Sequence, residues 1–284
     1  MLELLLSPKK AERRPWEMLF VGMFYASLSI LLVQWIFAQD AVLAKYSGIL
    51  VVTFCVMFTL PFMYYSIKYE EEKDTKYSGA FKMLAEHRRA LYSFMWLFLG
   101  FIIAFSFWYI VLASTQSFKA QIETYCVINR PSNFNECVAQ YGVKAGKITA
   151  EVTAVQKIFM IFANNIYVLL FTLVFSLIFG AGAIFVLAWN ASVIAAAVGI
   201  FAKSNLANLP LGIARYMIHG IPEIGAYFIA ALAGGIVSMA IVKHEIRGEK
   251  FWNILQDSLN LVILAVVILF IAALIEVFIT PALF

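Results

Sequence analysis

Charge is scarce in this chain. Only 13% of its 284 residues are Asp, Glu, Lys or Arg, while 63% are hydrophobic and 16% aromatic. A soluble domain carries about 25% charged residues, so there is too little polar surface to cover a water-facing globule. With a mean hydropathy of +0.87, the scarcity excludes a soluble enzyme and a disordered chain. The basic residues are dispersed rather than gathered into a stripe, which excludes nucleic acid as a partner. Cysteine is equally sparse, and three residues cannot build a disulfide framework. No P-loop, GxSxG elbow, CxxC pair or dinucleotide fingerprint occurs, and the zinc-protease pattern of two His around a Glu is missing. On these grounds no catalytic residue, metal or cofactor is expected.

What the sequence has instead is long apolar runs. A bilayer core about 30 Å thick needs about 20 apolar residues as helix. Residues 16–37, 41–67 and 91–113 meet that length, the second with Pro61 inside it. The first follows Lys9, Lys10, Arg13 and Arg14 as a signal peptide would. It exceeds the apolar core of about 7–15 residues of such a peptide and reads as retained. Residues 158–189 are too long for one crossing and divide at Asn164-Asn165. Residues 149–163, with Val152, Val155, Phe159 and Phe162 at helical spacing, read as an interfacial helix. The fourth span then begins near Asn165, with Asn164 as its N-cap. Residues 190–201 reach only about 18 Å, so 190–218 reads as a short or broken span or a re-entrant hairpin. Pro222 is placed first in the next helix, 222–242, and the last span is 259–279. The expected fold is all-α: a multi-pass helical protein of the cell membrane, with about seven transmembrane segments.

Orientation follows from the basic residues, which concentrate in cytoplasmic segments. Lys9, Lys10, Arg13 and Arg14 precede the first span, and Lys68, Lys73, Lys76, Lys82, Arg88 and Arg89 lie between the second and third. Lys243, Arg247 and Lys250 then fall inside only if 190–218 crosses, which favours a crossing over a hairpin. The N-terminus is placed inside and the C-terminus outside. Residues 68–89 also hold Glu70, Glu71, Glu72, Asp74 and Glu86, a mixture that reads as a solvated connecting segment. Residues 114–157 fall outside, where a Cys126–Cys137 disulfide is permitted and favoured over two free thiols.

Composition divides the chain into three parts. Residues 1–113 form a three-span module rich in Phe, Trp, Tyr and Leu, expected at the periphery. Residues 114–157 are an extracytoplasmic loop with the interfacial helix. Residues 158–284 form a four-span core module, in which Gly180, Gly182, Gly199, Gly234 and Gly235 let helix backbones approach. Polar side chains at membrane depth are costly and so point to candidate sites. They are Asn164, Asn165, Asn190, His219, Glu223 and Glu276. On the chosen topology all but Asn190 lie toward the external face. Two readings stand: a polar joint between helix ends, or a site where His219 and a carboxylate exchange a proton or bind a cation.

The C-terminal half resembles the stage II sporulation protein M family of integral membrane proteins. The matching pieces are Asn164-Asn165, Gly180-Ala181-Gly182 and Trp189-Asn190-Ala191, then His219-Gly220-Ile221-Pro222-Glu223-Ile224, Ala233-Gly234-Gly235 and Ile275-Glu276-Val277-Phe278-Ile279-Thr280-Pro281. Together they cover roughly residues 150–284. Ala191 departs from the Gly that is common there. The resemblance implies a non-enzymatic membrane protein whose Asn, His and two Glu residues define its core. In spore formers the family member is a scaffold for peptidoglycan-remodelling enzymes. Relatives in organisms without spores or peptidoglycan keep that specific role from being carried over.

Three functions are therefore expected in descending order. The first is a scaffold or organiser acting in envelope or membrane remodelling, with membrane lipids, other envelope proteins or a second copy as partners. The second is a transporter or channel using His219, Glu223 and Glu276. The third is a membrane-embedded hydrolase.

Overall fold

The computed structural model describes residues 7–37, 40, 42–73, 80–112, 115–129, 134–142, 154–179, 183–202, 205–242 and 249–283. Among these there is no strand, and seven helices are long and apolar enough to cross a membrane. A short α1 (Pro8–Arg13) precedes α2 (Glu17–Phe37), α3 (Ser47–Lys73) and α4 (Ala80–Leu112). Two short helices follow, α5 (Lys119–Asn129) and α6 (Phe134–Gly142). The remaining spans are α7 (Ala154–Phe179), α8 (Ala183–Phe201), α9 (Leu209–Val242) and α10 (Glu249–Leu274). The last of these continues through a π-helical turn, Ile275–Ile279, into α11 (Thr280–Leu283). Asp40 caps the turn before α3, accepting the backbone N–H groups of Val42 and Leu43 at 2.8 and 2.7 Å. The Leu43 bond first, then that of Val42, hold its carboxyl below the usual carboxylate range.

Seven spans stand as expected, but several boundaries move. The chain runs through Asn164-Asn165 as one helix, so Asn164 is not an N-cap. Residues 154–163 are the first turns of α7 rather than an interfacial helix, and 149–153 lie outside the described residues. The division falls instead at 180–182, where Gly180 and Gly182 also lie outside the described residues. Asn190 consequently sits inside α8, a 19-residue crossing. Pro222 does not start a helix either; it lies within the 34-residue α9. Proline costs the Ile218 carbonyl its donor, but neighbouring helices in lipid can absorb that loss.

Paired contacts fix the direction of each crossing. Asn165 meets Glu223, 58 residues on, and Ser176 meets Ala231, 55 residues on. This near-constant offset makes α7 and α9 parallel, so the chain between them crosses once. A re-entrant hairpin at 190–218 is thereby excluded. α2 and α4 are parallel in the same way, since Gly22 lies against Leu97 and Trp108 donates to Ser27 Oγ at 3.0 Å.

Two of the first three spans, α3 and α4, are not peripheral. α4 packs against α2, α8 and α9, and α3 packs against α8 and α9. Phe94 and Phe98 of α4 both contact the Phe228 ring of α9. One core therefore joins both halves of the chain. α9 is the most enclosed span, while α7 and α10 are the least. In the α3–α4 connection helix continues to Lys73 and resumes at Ala80. Within it Glu70 is buried and its Oε2 lies 2.5 Å from Nδ1 of the buried His87.

Candidate functional site

Because α9 is continuous, Arg215, His219, Glu223 and Tyr227 recur every fourth residue along one face. At 1.5 Å per residue this ladder covers about 18 Å, over half the thickness of a bilayer core. Each rung meets a neighbouring helix. Asn165 of α7, only 5% exposed, donates from Nδ2 to Glu223 Oε1 at 2.7 Å. The buried Tyr227 hydroxyl donates to Asn165 Oδ1 at 3.0 Å. One amide thus answers two rungs of α9.

On the α10 side His219 Nδ1 lies 3.2 Å from Thr280 Oγ1. The Thr280 hydroxyl also lies 3.3 Å from the Ile275 carbonyl, so it faces both the imidazole and its own helix. The π turn that presents this pair has a local cause. Pro281 brings no N–H to the ladder of backbone bonds, and Thr280 N–H bonds to Ile275 O, five residues back. Glu276 lies in that turn, which packs on both α9 and α7. Both carboxylates are half-buried, whereas Asn165, His219, Tyr227 and Thr280 are buried.

Beyond Tyr227 the ladder meets a close contact of α7 on α9. Ser176 of α7 donates to the Ala231 carbonyl, one turn beyond Tyr227. A Cβ on Gly234 would come within 2.9 Å of the Leu173 carbonyl oxygen. Ala226, Ala230 and Ala233 are fully buried beside them. Gly235 packs on Ile67 of α3, and Gly199 lies under the Tyr109 ring. At Gly234 the α7–α9 contact has no space for a side chain.

The structure therefore gathers Asn165, His219, Glu223 and Glu276. It leaves out Asn164, which is half-buried and makes no hydrogen bond to the group. Asn190 is elsewhere, donating from Nδ2 to Val186 O at 2.7 Å in its own helix. His219 and Glu223 do share a face of one helix, contrary to the expectation that Pro222 separates them. Tyr227, Thr280 and Arg215 were missed, although the four-residue spacing of the ladder is visible in the sequence. Among the described residues, no three His, Cys, Asp or Glu groups converge on a point that could hold a metal ion. Cys126 and Cys137 are bonded, with Cα atoms 5.7 Å apart, tying α5 to α6.

A limited energetic role is expected for each polar contact. Hydrogen bonds between membrane helices average about 0.6 kcal/mol and reach about 1.7. Tyr227→Phe should fall in that interval in reversible unfolding from mixed micelles. A loss above about 3 kcal/mol would mean that Tyr227 holds more than Asn165.

The profile of the stage II sporulation protein M family matches residues 50–281. That reaches well before residue 150, so the likeness takes in α3 and α4 as well as the C-terminal half. An uncharacterized protein of Methanocaldococcus jannaschii is 32% identical over 126 residues, covering 43% of this chain and 69% of that protein. No solved structure matches. With the family's pattern running across almost the whole bundle, this chain belongs to the stage II sporulation protein M family of membrane proteins.

Proposed function

We propose that the protein is a non-enzymatic organiser of the cell membrane, acting in envelope or membrane remodelling through partner proteins. One observation carries this reading: beyond Tyr227 the polar ladder runs into a tight α7–α9 contact, where the Ser176 side chain bonds to the Ala231 carbonyl and Gly234 lies against Leu173. Polar groups that bind three helices together at one level and then end form a joint, not a path. The positive-inside bias puts α1, the α3–α4 connection and the α9–α10 connection in the cytoplasm. Lys9 of α1, 5.4 Å over the Tyr69 ring near the end of α3, fits a shared side for the first two. α5, α6 and the disulfide then face the oxidising exterior, and a partner meets the protein there.

A photo-crosslinking residue at exposed Val127 on α5 tests this in native membranes. A discrete adduct is expected from Val127 and not from Phe171, which faces lipid on α7. Absence of both a partner and a self-adduct from the outer helices would overturn it. Transport remains the second reading, favoured by the half-buried state of Glu223 and Glu276. Hydrolysis ranks third and would need activity that His219→Ala abolishes without unfolding.

A further inference from the structure

α1 meets α3 and α4 where the α3–α4 connection leaves the bundle. It packs on both, with Ala11 buried and Lys9 held 5.4 Å over the Tyr69 ring. The buried Glu70–His87 contact sets the register of antiparallel α3 and α4, and the Phe62–Phe94 ring contact keeps it farther in. Lys68 therefore stands at the level of Arg89, and Tyr65 at that of Tyr92. All four are exposed. On each helix the cation and the ring share a face, with the ring one turn nearer the bilayer. The first span repeats this order, since exposed Arg13 and Arg14 precede exposed Trp16, just before α2.

The acids of this region are drawn back from the cations. Glu70 turns inward to His87, Glu17 is taken up by Arg14 at 3.1 Å, and Glu12 is half-buried. Glu71 and Glu72 come a turn farther from the bilayer than Lys68. Arg13, Lys68, Arg88 and Arg89 make no ion pair among the described residues. At the opposite end of the bundle the described charges are of both signs: Asp40, Glu123 and Glu136, with Lys45, Lys119 and Lys157.

We propose that this belt of cations above aromatic rings binds anionic phospholipid of the adjoining leaflet. A lipid phosphate accepts N–H bonds from Lys68 and Arg89, and a guanidinium can take two of its oxygens at once. Tyr65, Tyr92 and Trp16 then lie at the boundary of headgroup and acyl chain, where such rings gather. A zwitterionic headgroup brings a cation of its own, which the belt repels, so lipid of net negative charge is favoured. Acidic lipid gathered in this way suits the membrane organiser proposed above. The belt does not depend on the outer partner, because it lies at the other end of α3 and α4 from α5 and α6.

Native mass spectrometry of the full chain in neutral detergent micelles tests the belt, with phosphatidylglycerol or phosphatidylcholine titrated in. Each cation near an anionic membrane surface is worth roughly fivefold in affinity. Phosphatidylglycerol should bind roughly fivefold or more tighter than phosphatidylcholine, and Lys68→Gln/Arg89→Gln should weaken it roughly twenty-fivefold. Lys68→Arg/Arg89→Lys keeps both charges and should keep the preference. Lys45→Gln/Lys157→Gln, at the opposite end, should bind as the unaltered chain does. Equal binding of the two lipids would overturn the belt, as would a preference that survives Lys68→Gln/Arg89→Gln. An equal loss in Lys45→Gln/Lys157→Gln would overturn its location. Hexaglutamate binding to the unaltered chain in place of phosphatidylglycerol would overturn lipid in favour of an acidic protein partner. Micelles have no sides, so the result judges the belt apart from the orientation of the chain and from crosslinking at Val127.

Discussion

Glu70→Ala should cost the bundle about 3–5 kcal/mol, more than any change in the polar ladder. Glu70 is 1% exposed and its partner His87 is fully buried, at the ends of α3 and α4. Removing the carboxylate leaves an imidazole enclosed without the acid that faces it. Replacing both, as Glu70→Met/His87→Leu, should recover part of the loss, because neither member of the pair is then left facing an apolar side chain. Unfolding of the single and double variants in mixed micelles measures the difference. Equal losses in both would mean that the pair contributes through packing rather than through its polarity.

A second large effect is expected where α2 crosses α4. A Cβ on Gly100 would collide with the Leu19 carbonyl oxygen, and one on Gly22 with that of Leu97. Backbone cannot swing aside as a side chain can, so the two helices must separate along the contact. Gly100→Val should cost at least the 1–3 kcal/mol typical of overpacking and should lower folded yield. Gly225 provides the control, since a Cβ there meets nothing within 4 Å. Gly225→Ala should be neutral or stabilising by up to about 1 kcal/mol, as expected for a helical glycine in open space. Thermal inactivation of the purified variants would show the contrast. Similar behaviour of the two glycines would remove the case for a tight α2–α4 crossing.

Hydropathy made the seven spans legible because twenty apolar residues have few other fates. Boundaries were less legible, and for a definite reason. Asn164-Asn165 and Pro222 are breakers in water, where freed backbone groups find solvent. In lipid no such alternative exists, and neighbouring helices sustain the helix through them. The helix that was expected to break at the asparagines runs on to Phe179, and the next begins at Ala183. The candidate residues His219, Glu223 and Glu276 stood out by rarity alone. Their geometry did not, because it depends on α9 being continuous and on a π turn imposed by Pro281. Glu70 was hidden among ten other charges in its segment; only the folded chain shows that it turns inward to His87. The central place of α4 was likewise hidden, since a row of Phe residues reads equally as lipid-facing surface or as packing against α9.

If the ladder is a joint rather than a path, ions should not follow it across the bilayer. Flux of H⁺, Na⁺ and K⁺ into proteoliposomes holding the full chain, with Glu276→Gln and His219→Ala alongside, tests this directly. The expected result is flux no greater than in protein-free liposomes for all three proteins. Flux through the unaltered chain that Glu276→Gln or His219→Ala abolishes would contradict the account and make the ladder a transport site.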